Sequence, residues 1–297
     1  MSRLILKHLK GNTYYFPSLT NVGLFHQNSE AILIDSGNDK DAARQILNAI
    51  EENGWSLKMI INTHSNADHI GGNAYLQGKT SCKIAATRAE AAFIQDPILE
   101  PSLLYGGFPH RDIKNKFLLA QPSTVTTIIP SSGEIPDTGL RSFSLPGHFV
   151  DMIGIYTPDR VFFIGDCVFP QNIIEKYHLF FLYDIKAQLK TLETLKKMEA
   201  DIFVPGHGGP VRSTDHLVLI NTRKIREIVD RILDICSRAV SENELVNELC
   251  NFYHLNMDPN QNVLVSSTVR SYLSYMLEEN MLEYTFSGSN MLWKKRH

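Results

Sequence analysis

His64-Ser65-Asn66-Ala67-Asp68-His69 follows directly on the apolar run Lys58 to Asn62 and the polar Thr63, and how this stretch is placed decides the fold. Lys58 to Asn62 has the length and composition of a short buried strand. Before it, Asp41 to Asn53 carries apolar residues at Ala42, Ile46, Ala49 and Ile50, a helical spacing that Gly54 ends. Strand, helix, strand, loop puts His64 to His69 at the carboxyl end of a strand, the edge at which loops of layered α/β proteins converge.

Upstream, Thr13 to Phe16, Val22 to Phe25 and Ala31 to Ile34 read as a β-meander, with a turn at Gln27-Asn28-Ser29 and an end at Asp35-Ser36-Gly37. Downstream, Lys83 to Ala86 predicts a strand and Ala89 to Ile94 a short helix. From Asp96 to Pro122 the pattern breaks at Pro97, Pro101, Gly106, Gly107, Pro109 and Pro122, which predicts a long surface excursion of the kind that forms lids. Strands resume at Thr124 to Ile129, Arg141 to Leu145, Ile153 to Thr157, Val161 to Ile164 and Ile202 to Val204, with a helix over Asp184 to Met198. This alternation in both halves predicts two sheets face to face with helices outside. Asp215 to Ser237 is helical. Beyond it, Glu242 to Cys250 and Leu264 to Glu278 predict helices, and Leu282 to Phe286 with Met291 to Trp293 a hairpin turning at Ser287-Gly288-Ser289-Asn290, a pattern like a winged helix.

Three further strand ends repeat the chemistry of the first: Pro146-Gly147-His148, Ile164-Gly165-Asp166 and Pro205-Gly206-His207-Gly208. Each flanks its metal-binding side chain with glycine, which lets the backbone turn tightly. Four such loops in this order closely resemble the metallo-β-lactamase superfamily, over roughly residues 13 to 236. The Thr222-Arg223-Lys224-Ile225-Arg226-Glu227 helix and the tail resemble the branch of that superfamily with a C-terminal winged-helix extension, in which some members are RNases and others poorly defined hydrolases. The resemblance implies a four-layer αββα sandwich, with a catalytic domain over residues 1–225 and a small winged-helix-like domain over 226–297.

Carried over by position, the family motif assigns His64, residue 66 and His148 to one metal and Asp68, His69 and His207 to a second, with Asp166 between them. Zn²⁺, one or two per chain, suits these ligands, as do Fe and Mn. Residue 66 is the departure: asparagine offers a neutral amide oxygen or no bond where the family has imidazole. If a four-ligand zinc site contributes roughly 10–16 kcal/mol, one strong ligand is worth on the order of 3 kcal/mol, about a hundredfold in affinity. The second site is therefore expected to fill first. A monozinc subclass of the β-lactamases has asparagine at the first histidine of the motif rather than the second.

A bound divalent cation lowers the pKa of its water to about 7 and polarises a carbonyl or phosphoryl oxygen, so the reaction implied is hydrolysis by metal-bound hydroxide. In the family the position of Asp68 holds metal and accepts the water's proton, which makes Asp68 the expected catalytic residue. A proton donor for the leaving group is unassigned, with His178, Tyr183 and His110 in loops that could face the site. The expected substrate is a small ester, thioester, lactone or amide. Alternatives implied by the same resemblance are a non-haem iron oxidoreductase of the sulfur dioxygenase type, for which His64, His148 and Asp166 supply two histidines and a carboxylate, and a phosphodiesterase or RNase.

Ordinary roles absorb the rest. Of the eleven histidines, His8, His26, His110, His178, His216, His254 and His297 read as structural or solvated, and Cys82, Cys167, Cys236 and Cys250, with no C-x-x-C pair, as buried free thiols. Tyr177, Phe180, Phe181 and Tyr183 line a pocket or fill core. The 297 residues, 43% hydrophobic and 21% charged, suffice for a full core. A net charge of −3, and a tail from residue 238 with five basic against seven acidic residues, discourage nucleic-acid binding and favour packing or a homodimer. Met1 to Lys10 holds an apolar run of only three residues and no stretch reaches bilayer length, so a cytoplasmic location without membrane contact is expected.

Overall fold

The computed structural model describes residues 4–296; His297, read above as an ordinary histidine, lies outside them. Seven strands form the first sheet in chain order: β1 (Lys7–Lys10), β2 (Thr13–Phe16), β3 (Val22–Gln27), β4 (Glu30–Ile34), β5 (Ser56–Ile61), β6 (Lys83–Ala86) and β7 (Thr127–Ile128). Alternation divides their side chains between two faces. In the β3–β4 pairing Leu24 lies opposite Leu33 and Phe25 opposite Ile32. The Phe25 and Ile32 side turns inward to a core shared with the second sheet, and the Leu24 and Leu33 side meets helix α1 (Lys40–Glu52) through Ala43, Ile46, Leu47 and Ile50. Asp39 caps α1 by accepting from the backbone N–H of Asp41 and Ala42.

The second sheet runs β12-β11-β10-β9-β8, from β8 (Gly133–Glu134), β9 (Arg141–Ser144), β10 (Ile153–Tyr156), β11 (Val161–Gly165) and β12 (Ile202–Pro205). Ile153, Ile155, Val161, Phe163 and Val204 face the first sheet. Phe162, Ile164 and Phe203 face outward against α7 (Ile185–Leu195) and α8 (Asp215–Ile235), which completes the four αββα layers.

The tail holds α9 (Glu242–Phe252), α10 (Pro259–Glu278) and a three-stranded antiparallel sheet in which β15 (Asn290–Lys295) lies between β13 (Val240–Ser241) and β14 (Leu282–Ser287). Its Leu245, Leu249, Val265, Val269, Tyr272, Leu273 and Met276 belong to the same hydrophobic cluster as Phe162 and Leu192. Residues 225 and 226, where the sequence suggests a division, lie in the middle of α8.

The segment from Asp96 to Pro122 differs from its expected irregularity. It contains α5 (Leu99–Tyr105) and a 3-10 turn (Arg111–Ile113), and Leu104, Ile113 and Leu118 are buried with Phe149, Phe181 and Val263. Short helices α2 (Ala67–Ile70), α3 (Asn73–Thr80), α4 (Arg88–Gln95) and α6 (Gln171–Tyr177) fill the connections, and the strand expected over Thr124 to Ile129 shrinks to β7. Among the described residues no helix is long and apolar enough to cross a membrane.

Candidate metal centre

Four loops meet at one end of the sandwich. His64 and His69 follow β5, His148 follows β9, Asp166 follows β11 and His207 follows β12. The six side chains expected from the motif converge as two groups, His64 with His148 and Asp166, and Asp68 with His69 and His207, each with ligand atoms within 4.8 Å of one another. Asp166 spans the groups: Oδ1 stands 3.2 Å from His69 Nε2, and Oδ2 3.0 Å from His207 Nε2 and 3.8 Å from His148 Nε2. The glycines make this approach feasible, since a Cβ on Gly206 would stand 1.9 Å from Asp166 Oδ1.

Every imidazole turns Nδ1 outward to a partner and Nε2 toward the centre. His69 Nδ1 faces Asp35 Oδ2 at 2.8 Å, His148 Nδ1 the carbonyl of Phe181 at 3.0 Å and His207 Nδ1 the carbonyl of Leu19 at 2.6 Å. His64 Nδ1 lies 3.0 Å from Thr63 Oγ1, whose own proton goes to Asp35 Oδ2, leaving the hydroxyl oxygen to accept from the ring. A neutral imidazole has one N–H, so a partner at Nδ1 leaves a lone pair at Nε2. Asp35 accepts from both the Thr63 N–H and hydroxyl and so steadies two of the four rings. Its φ of +64° is a left-handed conformation that aspartate tolerates better than most residues.

Burial and charge bear on these groups in opposite directions. Burial and the neighbouring His69 push His64 well below its ordinary value, while for His69 the carboxylates of Asp166, Asp68 and Asp35 outweigh burial and hold it well above. Burial opposes, but Asp166 and Asp68 win, lifting His207 to about 9, and against its own burial Asp166 is held far below the usual carboxylate range by His207 and His69. His64 Nε2, His69 Nε2 and Asp166 Oδ1 are buried without a hydrogen-bond partner. Unpaired buried polar atoms are costly, and three of them within two adjoining donor groups are an arrangement that cations satisfy, so the donor set fits a metal.

Behind this centre lie residues that the motif does not name. Thr20 donates its hydroxyl to Asp68 Oδ2 at 2.7 Å. Glu90, on the buried face of α4, accepts from the Ser65 N–H and hydroxyl and from the Asp151 N–H, and burial pushes it up to about 7 against those donors. Glu100, on α5, accepts from Asn66 Nδ2 at 2.7 Å and the Ala67 N–H at 3.1 Å; burial raises it well above the carboxylate range. A glutamate on the apolar side of a predicted helix was the available signal for Glu90. Glu100 sits where the sequence predicted no regular structure.

The three candidate proton donors scatter. His178 pairs with Lys224 and stacks on Tyr253, His110 packs on Tyr105, and only Tyr183 is tied to a donor loop, its N–H donating to the Gly147 carbonyl. All four cysteines are buried free thiols, and burial pushes Cys167 far up, away from any thiolate role.

The model of the metallo-beta-lactamase superfamily matches residues 15–207. A hydroxyacylglutathione hydrolase of Rhodopseudomonas palustris (strain BisB18) is 30% identical over 132 residues, 44% of this chain and 42% of that protein. One from Nitrobacter hamburgensis is 29% identical over 135 residues, with the same coverage. The chain thus matches less than half the length of these relatives. Among solved structures, a beta-lactamase domain protein from Burkholderia ambifaria superposes with a TM-score of 0.74 at 16% identity, over 98% of this chain and 93% of that one. A metallo-beta-lactamase family protein from Thermus thermophilus does so at 0.72 and 18%, over 96% and 99%.

Proposed function

Because this chain belongs to the metallo-beta-lactamase superfamily, we propose that it is a metal-dependent hydrolase acting on a small ester, thioester, lactone or amide, with thioesters first among these. The observation that carries the reading is the set of inward-facing, unpaired donor atoms on His64, His69 and Asp166. His64, His148 and Asp166 would hold one cation and Asp68, His69, His207 and Asp166 the other. Zn²⁺ suits both, with Mn and Fe as alternatives. A divalent cation there supplies a nucleophilic water at neutral pH and polarises the substrate's acyl oxygen.

The chain's own residues do the rest. Asp68, its side chain 35% exposed, has Oδ2 held by Thr20 and 3.7 Å from His207 Nε2, so it can take a proton from the attacking water. Asp35, Phe181 and Leu19 keep the imidazoles oriented, and Phe169 and Phe181, with ring centroids 5.6 Å from that of His148, give an acyl group an apolar wall. Thioesters come first because the relatives named above are hydroxyacylglutathione hydrolases. The four buried thiols suit a reducing cytoplasm, and the tail serves packing rather than nucleic-acid binding.

The test is hydrolysis of a panel of acyl-glutathione thioesters, lactones, simple esters and bis-p-nitrophenyl phosphate by protein with measured metal content. Turnover of a carbonyl substrate that is abolished by chelation and restored by Zn²⁺ or Mn²⁺ is the expected result. Phosphodiester turnover alone, or oxygen consumption with iron, would replace the proposal.

A further inference from the structure

We propose that Asn66 is itself a donor of the first group, its amide oxygen turned to the centre by the buried side chain of Glu100. That group would then comprise two imidazoles, one carboxylate and one amide oxygen. The inference rests on the metal-dependent reading above.

The two ends of an asparagine amide are distinguished by their neighbours. Nδ2 donates to Glu100 Oε1 at 2.7 Å, and Glu100 Oε2 accepts from the Ala67 N–H at 3.1 Å. With Oε1 taken by the amide nitrogen and Oε2 by the Ala67 N–H, Glu100 holds the nitrogen end of the amide and leaves Asn66 Oδ1 facing away. On that side Oδ1 meets His148 Nε2 at 3.0 Å. The His148 ring faces the Phe181 carbonyl through Nδ1, and a carbonyl only accepts, so a neutral ring has its N–H there and a bare Nε2. Two lone-pair atoms thus face each other, with Asp166 Oδ2 3.8 Å from the same nitrogen and His64 Nε2 unpaired in the same group. Positive charge is what holds such a cluster together. Donors each about 2.1 Å from one cation can stand about 3 Å apart.

A second observation points the same way. Asn66 occupies the N-cap position of α2, where an asparagine oxygen ordinarily accepts from its own helix, yet its side chain makes no cap hydrogen bond. The amide oxygen instead faces His148 and the centre. Exchanging an imidazole for an amide oxygen makes the donor set harder, which shifts preference from Zn²⁺ toward Mn²⁺.

The experiment is titration of the metal-free full chain with Zn²⁺ and with Mn²⁺, and with Co²⁺ read by its visible absorption, in the native protein and in Asn66→Ala, Asn66→His and Glu100→Gln. The native chain should bind Mn²⁺ in a tight and a weaker step. Asn66→Ala should weaken the weaker step about tenfold or more and leave the tight step alone. Asn66→His should strengthen that step for Zn²⁺ by about a hundredfold and for Mn²⁺ by clearly less. Glu100→Gln, whose amide can also offer an N–H to Asn66 Oδ1, should weaken the step several-fold and alter the Co²⁺ spectrum.

A native chain with no weaker step at millimolar Mn²⁺, or an Asn66→Ala protein identical to native in both steps and in its Co²⁺ spectrum, overturns the inference. If Asn66→Ala does not fold, an Asn66→His protein that gains equally for Zn²⁺ and Mn²⁺ overturns it. Failure of the native chain to bind any metal would instead defeat the hydrolase reading, so the two failures are distinguishable.

Discussion

The two donor groups share Asp166 and differ in their access to solvent. His64 is fully buried and His148 nearly so, whereas Asp68 and His207 keep side chains 35% and 20% exposed. They also differ in what stands behind them. The exposed group relies on one carboxylate, Asp35, one hydroxyl, Thr20, and the carbonyl of Leu19. The buried group shares Asp35 only through Thr63 and is backed by Glu100, the Phe181 carbonyl and the aromatic rings of Phe149 and Phe181. Similar ligands can therefore be specialised by surroundings, one group open to substrate and water and the other set into the wall.

The sharpest way to break this comparison is to remove what the groups share. Asp166→Ala should empty both, costing on the order of 3 kcal/mol, about a hundredfold in affinity, at each, with a chain carrying less than one equivalent in elemental analysis and no turnover. Retention of one full equivalent would show that Asp166 does not span them. Asp68→Asn separates the groups: turnover should fall about 10²- to 10⁴-fold while the buried group binds as before, measured by titration alongside steady-state rates. Asp35→Asn asks how far support from behind extends. Metal affinity of the exposed group should drop about 10- to 100-fold with a smaller loss at His64, through Thr63, and equal losses would mean Asp35 serves both alike.

The smallest effect is that of pH. In the metal-free chain Asp166 and Asp68 hold His207 protonated up to about 9, above its ordinary 6.5, with burial opposing. A raised histidine value means that the stability it adds to the metal-free fold is complete below about pH 6.5 and is lost as pH rises through 9. Metal must displace that proton and the one the carboxylates hold on His69, so affinity at the exposed group should climb more than tenfold per pH unit up to about pH 9. Competition titrations at several pH values check this, and a flat profile would mean His207 is neutral before metal arrives.

The αββα layering was legible because period-two and helical spacings are strong in β3, β4, α1 and β5, each buried on a defined face. The positions of His64, Asp68, His69, His148, Asp166 and His207 were legible as strand-end residues, the last three beside glycine. What escaped was the layer behind them. Asp35 follows β4 next to Ser36-Gly37 and looked like turn chemistry, and Glu100 lay among prolines that masked the seven-residue α5. α10 begins at Pro259 with Asp258 as its cap, five residues before the apolar spacing that suggested it at Leu264. Local pattern reports which face is apolar. It does not report which distant carboxylate folds back onto an asparagine.

Leu104 and Ile113, from the segment that carries Glu100, pack against Val263 of α10 and against Phe149 and Phe181 beside His148. The tail is thereby a buttress for the donor loops, as masonry outside a wall carries the thrust of a vault within it. Cutting the chain after α8 would strip apolar cover from the cluster that also supports the second sheet. Heat that loosens the tail should therefore disorder the donor loops in the same cooperative event, and the amino-terminal portion alone would not persist as a working unit.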